Sequence, residues 1–298
     1  MKRFDVVLLV LLMALWGLNF SVIKLGVNNI DPLVLTAMRF FFAVIPLVFF
    51  IKKPDVKWRY LIMYGVSFGV GVWGMTTLSI DAGLSSGMAS LLLDMSVVSG
   101  LFVGWYFLDE KITSSNLIGA FLALSGLVLI LQLEDGSITI EGVGLVLIAS
   151  LFWSVNGLIV KKANTQSIFA FNIWAMLFAP VLLLLLAVIS HGVEAITLLP
   201  QHLNQLAIIS ALFQAYPTTL LGYWFWNKMI MKYSISRVAP MTLLVPVFGI
   251  FGGVVFYNEA IEPTHIIATV LILLGLLIGR MAFFEKVSHR LFLKNKDL

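Results

Sequence analysis

The chain has 298 residues, of which 60% are hydrophobic and 11% charged, against roughly 45–50% apolar and about 25% charged in soluble domains. That surplus excludes a water-soluble fold, and the formal net charge of +4 matters by where it falls rather than by its size. There is no cysteine, which removes disulfides, thiolate metal sites and thiol nucleophiles.

A helix crossing about 30 Å of hydrocarbon needs roughly 20 mostly apolar residues. The first such stretch, 5–26, follows Met1-Lys2-Arg3 in the manner of a signal peptide. Its near-full spanning length and internal polar residues read instead as a retained helix. Further helices are predicted at 32–51, 58–79, 85–107 and 115–133, completing a first unit of residues 1–135. A second unit, 136–298, holds helices at 142–160, 168–190, 204–227, 234–257 and 263–284, then a short basic tail. The loops between them are short and polar. The apolar runs lack the period-two alternation of barrel strands and are too long for them. The expected fold is an all-α integral membrane protein of ten transmembrane helices.

Lysine and arginine accumulate on the cytoplasmic side of membrane proteins. With the N-terminus inside, the cytoplasmic segments collect Lys2, Arg3, Lys52, Lys53, Lys57, Arg59, Lys111, Lys161, Lys162, Lys228, Lys232 and Arg237. Arg280, Lys286, Arg290, Lys294 and Lys296 follow on the same side, making 17 of the 19 basic residues. The outer loops hold no basic residue and carry Asp31, Asp81, Glu134, Asp135, Glu141, Glu194 and Glu262. Both termini are therefore expected in the cytoplasm.

Sliding the chain on itself by 149 residues lays Gly100, Gly104, Glu110 and Gly126 on Gly249, Gly253, Glu259 and Gly275. A shift of 137 lays Trp16, Asn19 and Lys24 on Trp153, Asn156 and Lys161. Five helices per copy is an odd number, so the second copy enters the membrane from the other side. Inverted repeats of this kind are typical of secondary transporters, whose substrate site lies near the midplane between the halves.

The stretch Trp16-Gly17-Leu18-Asn19-Phe20 with Lys24, and Pro32 with Arg39-Phe40, resemble the opening helices of the drug/metabolite transporter superfamily, in its EamA branch. Gly83 to Leu93, leading to Asp109-Glu110, resembles the same family's fourth-helix pattern, which recurs from Arg237-Val238-Ala239-Pro240 to Asn258-Glu259. Within the family, the first two helices are most similar to the bacterial exporters of O-acetylserine and cysteine. The resemblance covers nearly the whole chain. It implies export of small metabolites such as amino acids or their derivatives across a bacterial inner membrane by alternating access. The same fold also serves multidrug or lipophilic-compound efflux, which stands as the alternative. One departure is Asp94, which occupies a position where an uncharged polar residue such as Gln is expected.

Charge deep in a bilayer costs at least about 2.5–3.5 kcal/mol, so it marks a pathway, a partner or both. Lys24, near the outer end of its helix, can snorkel outward. Arg39 lies roughly 10 Å deep, counting a rise of 1.5 Å per residue, and Asp94 lies close to the midplane. Structural pairing of Arg39 with Asp94 and substrate contact by either are both open. Proton coupling, if present, runs through Asp94, the one deep acid.

Asn19 and Asn156, each three residues after a tryptophan, are candidates for interhelical bonding or cavity lining. Trp73, Trp153 and Trp174 are candidates for packing or for the wall of a mixed apolar cavity. In the eighth helix, Gln214 and Tyr216 precede Pro217, which should bend the helix and free a backbone carbonyl. Trp226 is read as interface belt, and Glu110 and Glu259 as caps or loop anchors at helix ends.

Nothing favours an enzyme. His191, His202, His265 and His289 lie in loops, helix ends or the tail without ligand spacing, and no phosphate loop or nucleophile elbow is present. No cofactor is implied, and the basic residues follow membrane topology rather than forming a nucleic-acid face. The expected partners are a small-molecule substrate and the lipid bilayer, with the chain a monomer or a homodimer.

Overall fold

A computed structural model describes residues 1–132, 136–233 and 235–294, with side chains given except at 235, 236 and 280–294. The expected boundary between the two units, and the acidic residues Glu134 and Asp135, lie outside the described residues, as does Lys296. The described chain is helical and holds no strand. Helix α1 spans Arg3–Val27, α2 Pro32–Phe49, α3 Trp58–Asp81 and α4 Ser86–Leu108. Helix α5 spans Ser114–Ile130. Then come α6 at Ile140–Ala163, α7 at Ile168–His191, α8 at Gln205–Tyr233 and α9 at Ala239–Tyr257. Helix α10 spans Pro263–Lys294, ten residues past the expected end at 284.

Eight of these are long and apolar enough to cross a membrane by length and composition, all except α5 and α10, whose described apolar parts are shorter. Large apolar side chains such as Phe49, Phe50, Phe121, Val181 and Ile189 stand exposed on the outside of the bundle. A surface of that character is stable against lipid and not against water.

The helix starts follow from local chemistry. Asp31 caps α2 by accepting from the Leu33 and Val34 amides, with Pro32 in the first turn, where its missing N–H costs nothing. Thr113 and Asn116 form a reciprocal capping box on α5. The side chains of Ser85, Thr139, Ser167 and Asn204 each accept one amide at the starts of α4, α6, α7 and α8.

Several helices are interrupted. In α3 the residues Ser67–Gly74 form a π-helix, and in α8 the residues Gln214–Leu221 form another around Pro217. Helix α4 tightens at Asp94–Met95, where the Val97 amide donates to the Asp94 carbonyl and the Met95 amide to the Leu92 carbonyl. Helix α9 begins as a 3₁₀ turn, Ala239–Leu243, before its α segment Leu244–Tyr257.

Packing is closest where side chains are smallest. Helices α5 and α10 make the most extensive contact in the bundle. A Cβ built on Gly119 would lie 2.7 Å from the Gly279 amide nitrogen, and one on Gly126 would lie 2.7 Å from the Ala268 carbonyl oxygen. Such backbone-to-backbone approach is the usual role of small residues between membrane helices. Helix α1 packs on α9 the same way, through Gly17, Ser21 and Gly252, and Ser90 of α4 fills the space at Gly249.

These contacts make a contrast that melting experiments in detergent can read. Gly119→Val should cost at least about 1–3 kcal/mol through overpacking against backbone that cannot repack. Gly144→Ala, where nothing stands within 4 Å, should leave the melting temperature unchanged. Equal melting for the two variants would contradict the packing described.

Candidate functional site

A cavity of about 760 Å³ lies between the helices of the two predicted halves. Of its lining residues, Glu110, Lys111 and Lys161 are exposed and mark its mouth, with the half-buried Trp226 and Thr242 counted beside them. Asn19, Phe20, Arg39, Trp73 and Ser90 are buried and mark its blind end, and the half-buried Trp16, Asp94, Val97, Trp153 and Tyr223 form its waist.

Arg39 is 1% exposed. Its Nε and Nη2 atoms donate to the Thr219 hydroxyl oxygen at 3.2 and 3.1 Å. The guanidinium carbon stands 3.8 Å from the centre of the Trp73 ring, a cation–π contact that is worth most when desolvated. No carboxylate joins it in an ion pair among the described residues, and Nη1 has no hydrogen-bond partner. A buried guanidinium normally carries a paired acid, because desolvation without one is expensive. Asn19, also 1% exposed, leaves its Oδ1 without a partner at the same end of the cavity.

The two π-helices build this end. A π turn bonds residue i to i+5 in place of i+4 and commonly occurs at functional sites. In α3 it carries Trp73, which meets Phe20, Phe68 and Trp153 at ring-centre distances of 6.3, 6.3 and 6.2 Å. In α8, Pro217 donates no amide hydrogen, and the hydroxyls of Thr218 and Thr219 cover the Gln214 carbonyl at 2.6 and 2.7 Å. Thr219 thereby gives its hydrogen to the backbone and keeps its lone pairs for Arg39. The Thr218 carbonyl accepts from the Trp16 indole at 3.0 Å, and Trp16 packs against Tyr223 and Trp226 with ring centres 5.5 Å away in each case.

The EamA-like transporter family matches residues 4–132 and 140–280. The chain belongs to that family. It is 30% identical over 296 residues to a "Probable amino-acid metabolite efflux pump" of Salmonella typhimurium strain LT2, covering 97% of this chain and 99% of that protein. It is 29% identical over 285 residues to a protein of the same description from Escherichia coli strain K12, covering 94% and 95%. A solved protein structure shares the fold with a TM-score of 0.63 at 14% identity, covering 94% of this chain and 98% of its own. As a member of the family, the chain is a multi-pass membrane transporter of small molecules.

Of the residues singled out in the sequence, Asn19, Arg39, Trp73, Asp94 and Trp153 line the cavity of this EamA-type transporter. The others lie elsewhere. Trp174 donates its indole N–H to the Ile51 carbonyl at 2.8 Å and packs on Trp58, anchoring a helix end. Gln214 is fully buried, its amide nitrogen donating to Ser210. Tyr216 is 43% exposed, on the outer surface. Asn156 is buried outside the cavity wall, with neither side-chain polar atom hydrogen-bonded. Arg39 and Asp94 share the cavity without forming an ion pair. Trp226, expected in an interface belt, stands in the cavity mouth, and Tyr223, Phe20 and Ser90 join the wall.

Thr219 is the exposed link in this arrangement. Thr219→Val should cost about 1–3 kcal/mol by stranding a buried donor, whereas Thr219→Ser should melt near the parent temperature. A silent valine would remove the support assigned to Arg39.

Proposed function

We propose that this transporter exports amino acids or closely related carboxylates, with the carboxylate received by Arg39 at the blind end of the cavity. The observation that carries this reading is the buried guanidinium with an unbonded Nη1 and no acid paired with it among the described residues. A substrate carboxylate supplies the missing partner in bidentate or single contact, and the neighbouring Asn19 oxygen suits an ammonium or hydroxyl donor. Trp73, Trp153 and Tyr223 enclose the aliphatic part. The names of the two enterobacterial relatives support an amino-acid metabolite as cargo.

Transport follows from an inverted repeat of two five-helix units, ten spans in all, rocking around this cavity. The interruptions support that arrangement, since the π-helices at 67–74 and 214–221 sit at corresponding places in the two halves. So do the left-handed residues Asp109 and Asn258, which end α4 and α9. The packing also keeps its pattern when the halves are exchanged: α1 with α9 corresponds to α6 with α4, and α3 with α6 to α8 with α1. The charge distribution supports cytoplasmic termini in a bacterial inner membrane. Asp94, at the waist, is the group through which proton exchange would pass.

The aromatic wall of Trp16, Phe20, Trp73, Trp153, Tyr223 and Trp226 favours a second cargo, a lipophilic compound, on the same fold. Counterflow of a labelled amino-acid panel in proteoliposomes separates the two. Arg39→Gln should lower amino-acid counterflow at least tenfold, about the 1.4 kcal/mol or more of a charged hydrogen bond, and spare an uncharged lipophilic substrate. No counterflow of any amino acid or derivative would refute the carboxylate reading.

The orientation has its own check. Reporters fused after Lys57, Lys162 or Lys232 should report cytoplasm, and those after Ser137 or Gly192 the outside. Reversal at two of these sites would overturn the inverted arrangement.

A further inference from the structure

Two lysine–glutamate pairs stand at opposite ends of the bundle. Lys24 of α1 meets Glu259, just past α9, at 2.9 Å. Lys161 of α6 meets Glu110, just past α4, at 3.2 Å. The pairs correspond through the internal repeat, because Lys24 and Lys161 each follow their tryptophan by eight residues. The glutamates correspond in backbone geometry as well. Each follows a left-handed residue, Asp109 or Asn258, and donates its amide to the glycine carbonyl six positions earlier, Gly104 at 3.1 Å or Gly253 at 3.2 Å.

Their surroundings differ. Glu259 also accepts from the Ser86 amide at 3.0 Å, the Ser86 hydroxyl at 3.1 Å and the Gly87 amide at 3.3 Å. Those donors open α4, so one carboxylate ties α1, α4 and α9 together. A carboxylate is favoured at a helix start, where unpaired amides point outward. The Glu259 side chain is 12% exposed. Glu110 accepts only from Lys161 among the described residues, its side chain is 46% exposed, and it stands in the cavity mouth. Positions 235 and 236, which correspond to Ser86 and Gly87, begin the short helix Ile235–Val238 before α9.

We infer that Glu259 and Glu110 are alternating locks that close opposite ends of the transport path. In the state described, Glu259 holds the start of α4 and seals the blind end, while Glu110 is disengaged and the cavity opens past it. In the opposite state, Glu259 releases Ser86 and Gly87, and Glu110 takes the amides at 235 and 236. Lys24 and Lys161 keep each carboxylate aimed in both states. The inference rests on the alternating-access reading but not on the identity of the cargo.

The chain has no cysteine, so single introduced cysteines report access cleanly. Val97→Cys at the cavity waist and Ser90→Cys behind the Glu259 lock are treated with a membrane-impermeant maleimide, on intact cells and on inverted vesicles. Neither measurement needs a substrate, so failure of the carboxylate reading leaves it intact. Glu259→Gln should raise labelling of Ser90→Cys from the Lys24 end about tenfold and lower labelling of Val97→Cys from the Lys161 end. Glu110→Gln should do the reverse, raising Val97→Cys labelling from the Lys161 end, and Glu259→Asp should restore the parent ratio. If Glu259→Gln fails to insert, Ser86→Ala, which deletes one donor, should move the ratio in the same direction. A ratio of labelling from the two ends that stays at the parent value in these variants, whether or not protein yield falls, overturns the proposal and leaves both pairs as static anchors.

Discussion

Every backbone N–H and C=O in the apolar part of this chain must find a partner inside the protein, because hydrocarbon offers none. That constraint makes the described chain helical throughout, and it also decides where the helices can depart from regular geometry. The departures in α3, α4, α8 and α9 adjoin the cavity or the residues that form it, whereas the breaks in α2 before Leu47 and in α7 before Ala179 lie off its wall. Beside Pro217 the constraint is met by hydroxyls, Thr218 reaching the Phe213 carbonyl and Thr218 and Thr219 covering that of Gln214. The same Thr219 then supports Arg39. Backbone repair and the proposed binding site thus share one structure: a helix patched from inside presents oriented polar groups to the space within the bundle.

The electrostatics follow from that geometry. Arg39 is surrounded by an aromatic face, a hydroxyl and apolar side chains, and no acid shares its proton-rich fork among the described residues. A cation in such a place is tolerated because the π cloud and the threonine oxygen partly replace water. The remaining deficit is what the proposed carboxylate cargo would relieve. Other acids are held at the helix ends: Asp5 by Lys232 and Tyr233 at the basic end, and Asp31 by His191 at the other. The contrast sets Arg39 apart from charges that merely tie helix ends together.

Much of this was legible in the residues. Long apolar runs separated by short polar loops gave the helix positions to within a few residues over most of the chain, because span length is set by bilayer thickness. Asn19, Arg39, Trp73, Asp94 and Trp153 stood out as polar or aromatic groups in apolar surroundings, and the cavity contains them. The eighth helix was misread in detail, for a physical reason. A regular helix repeats every 3.6 residues, and the π-helix at 214–221 changes that phase. Gln214 and Tyr216 accordingly lie off the cavity, while Tyr223 and Trp226, beyond the disturbance, enter its wall. Lys24 looked like a residue reaching for the surface, yet it meets Glu259, 235 positions away. No periodicity within one helix reveals a partner on another. Glu110 and Glu259 were recognisable as a repeated pair of helix-end anchors, but the difference in what they hold is a property of the folded state.

Where α5 and α10 meet, main chain lies directly on main chain at Gly119, which faces Gly275 and Gly279. Side-chain interfaces can re-mesh by changing rotamers as one helix slides over another. Bare backbones have no such freedom, so any axial slip is resisted at once by hard contact. The two helices therefore behave as a single stiff post. Their contacts with the remaining helices are sparse by comparison, so the post bears little of the strain when the other helices tilt. In the proposed rocking motion it would be the chassis: the part whose shape stays constant while the rest moves around it.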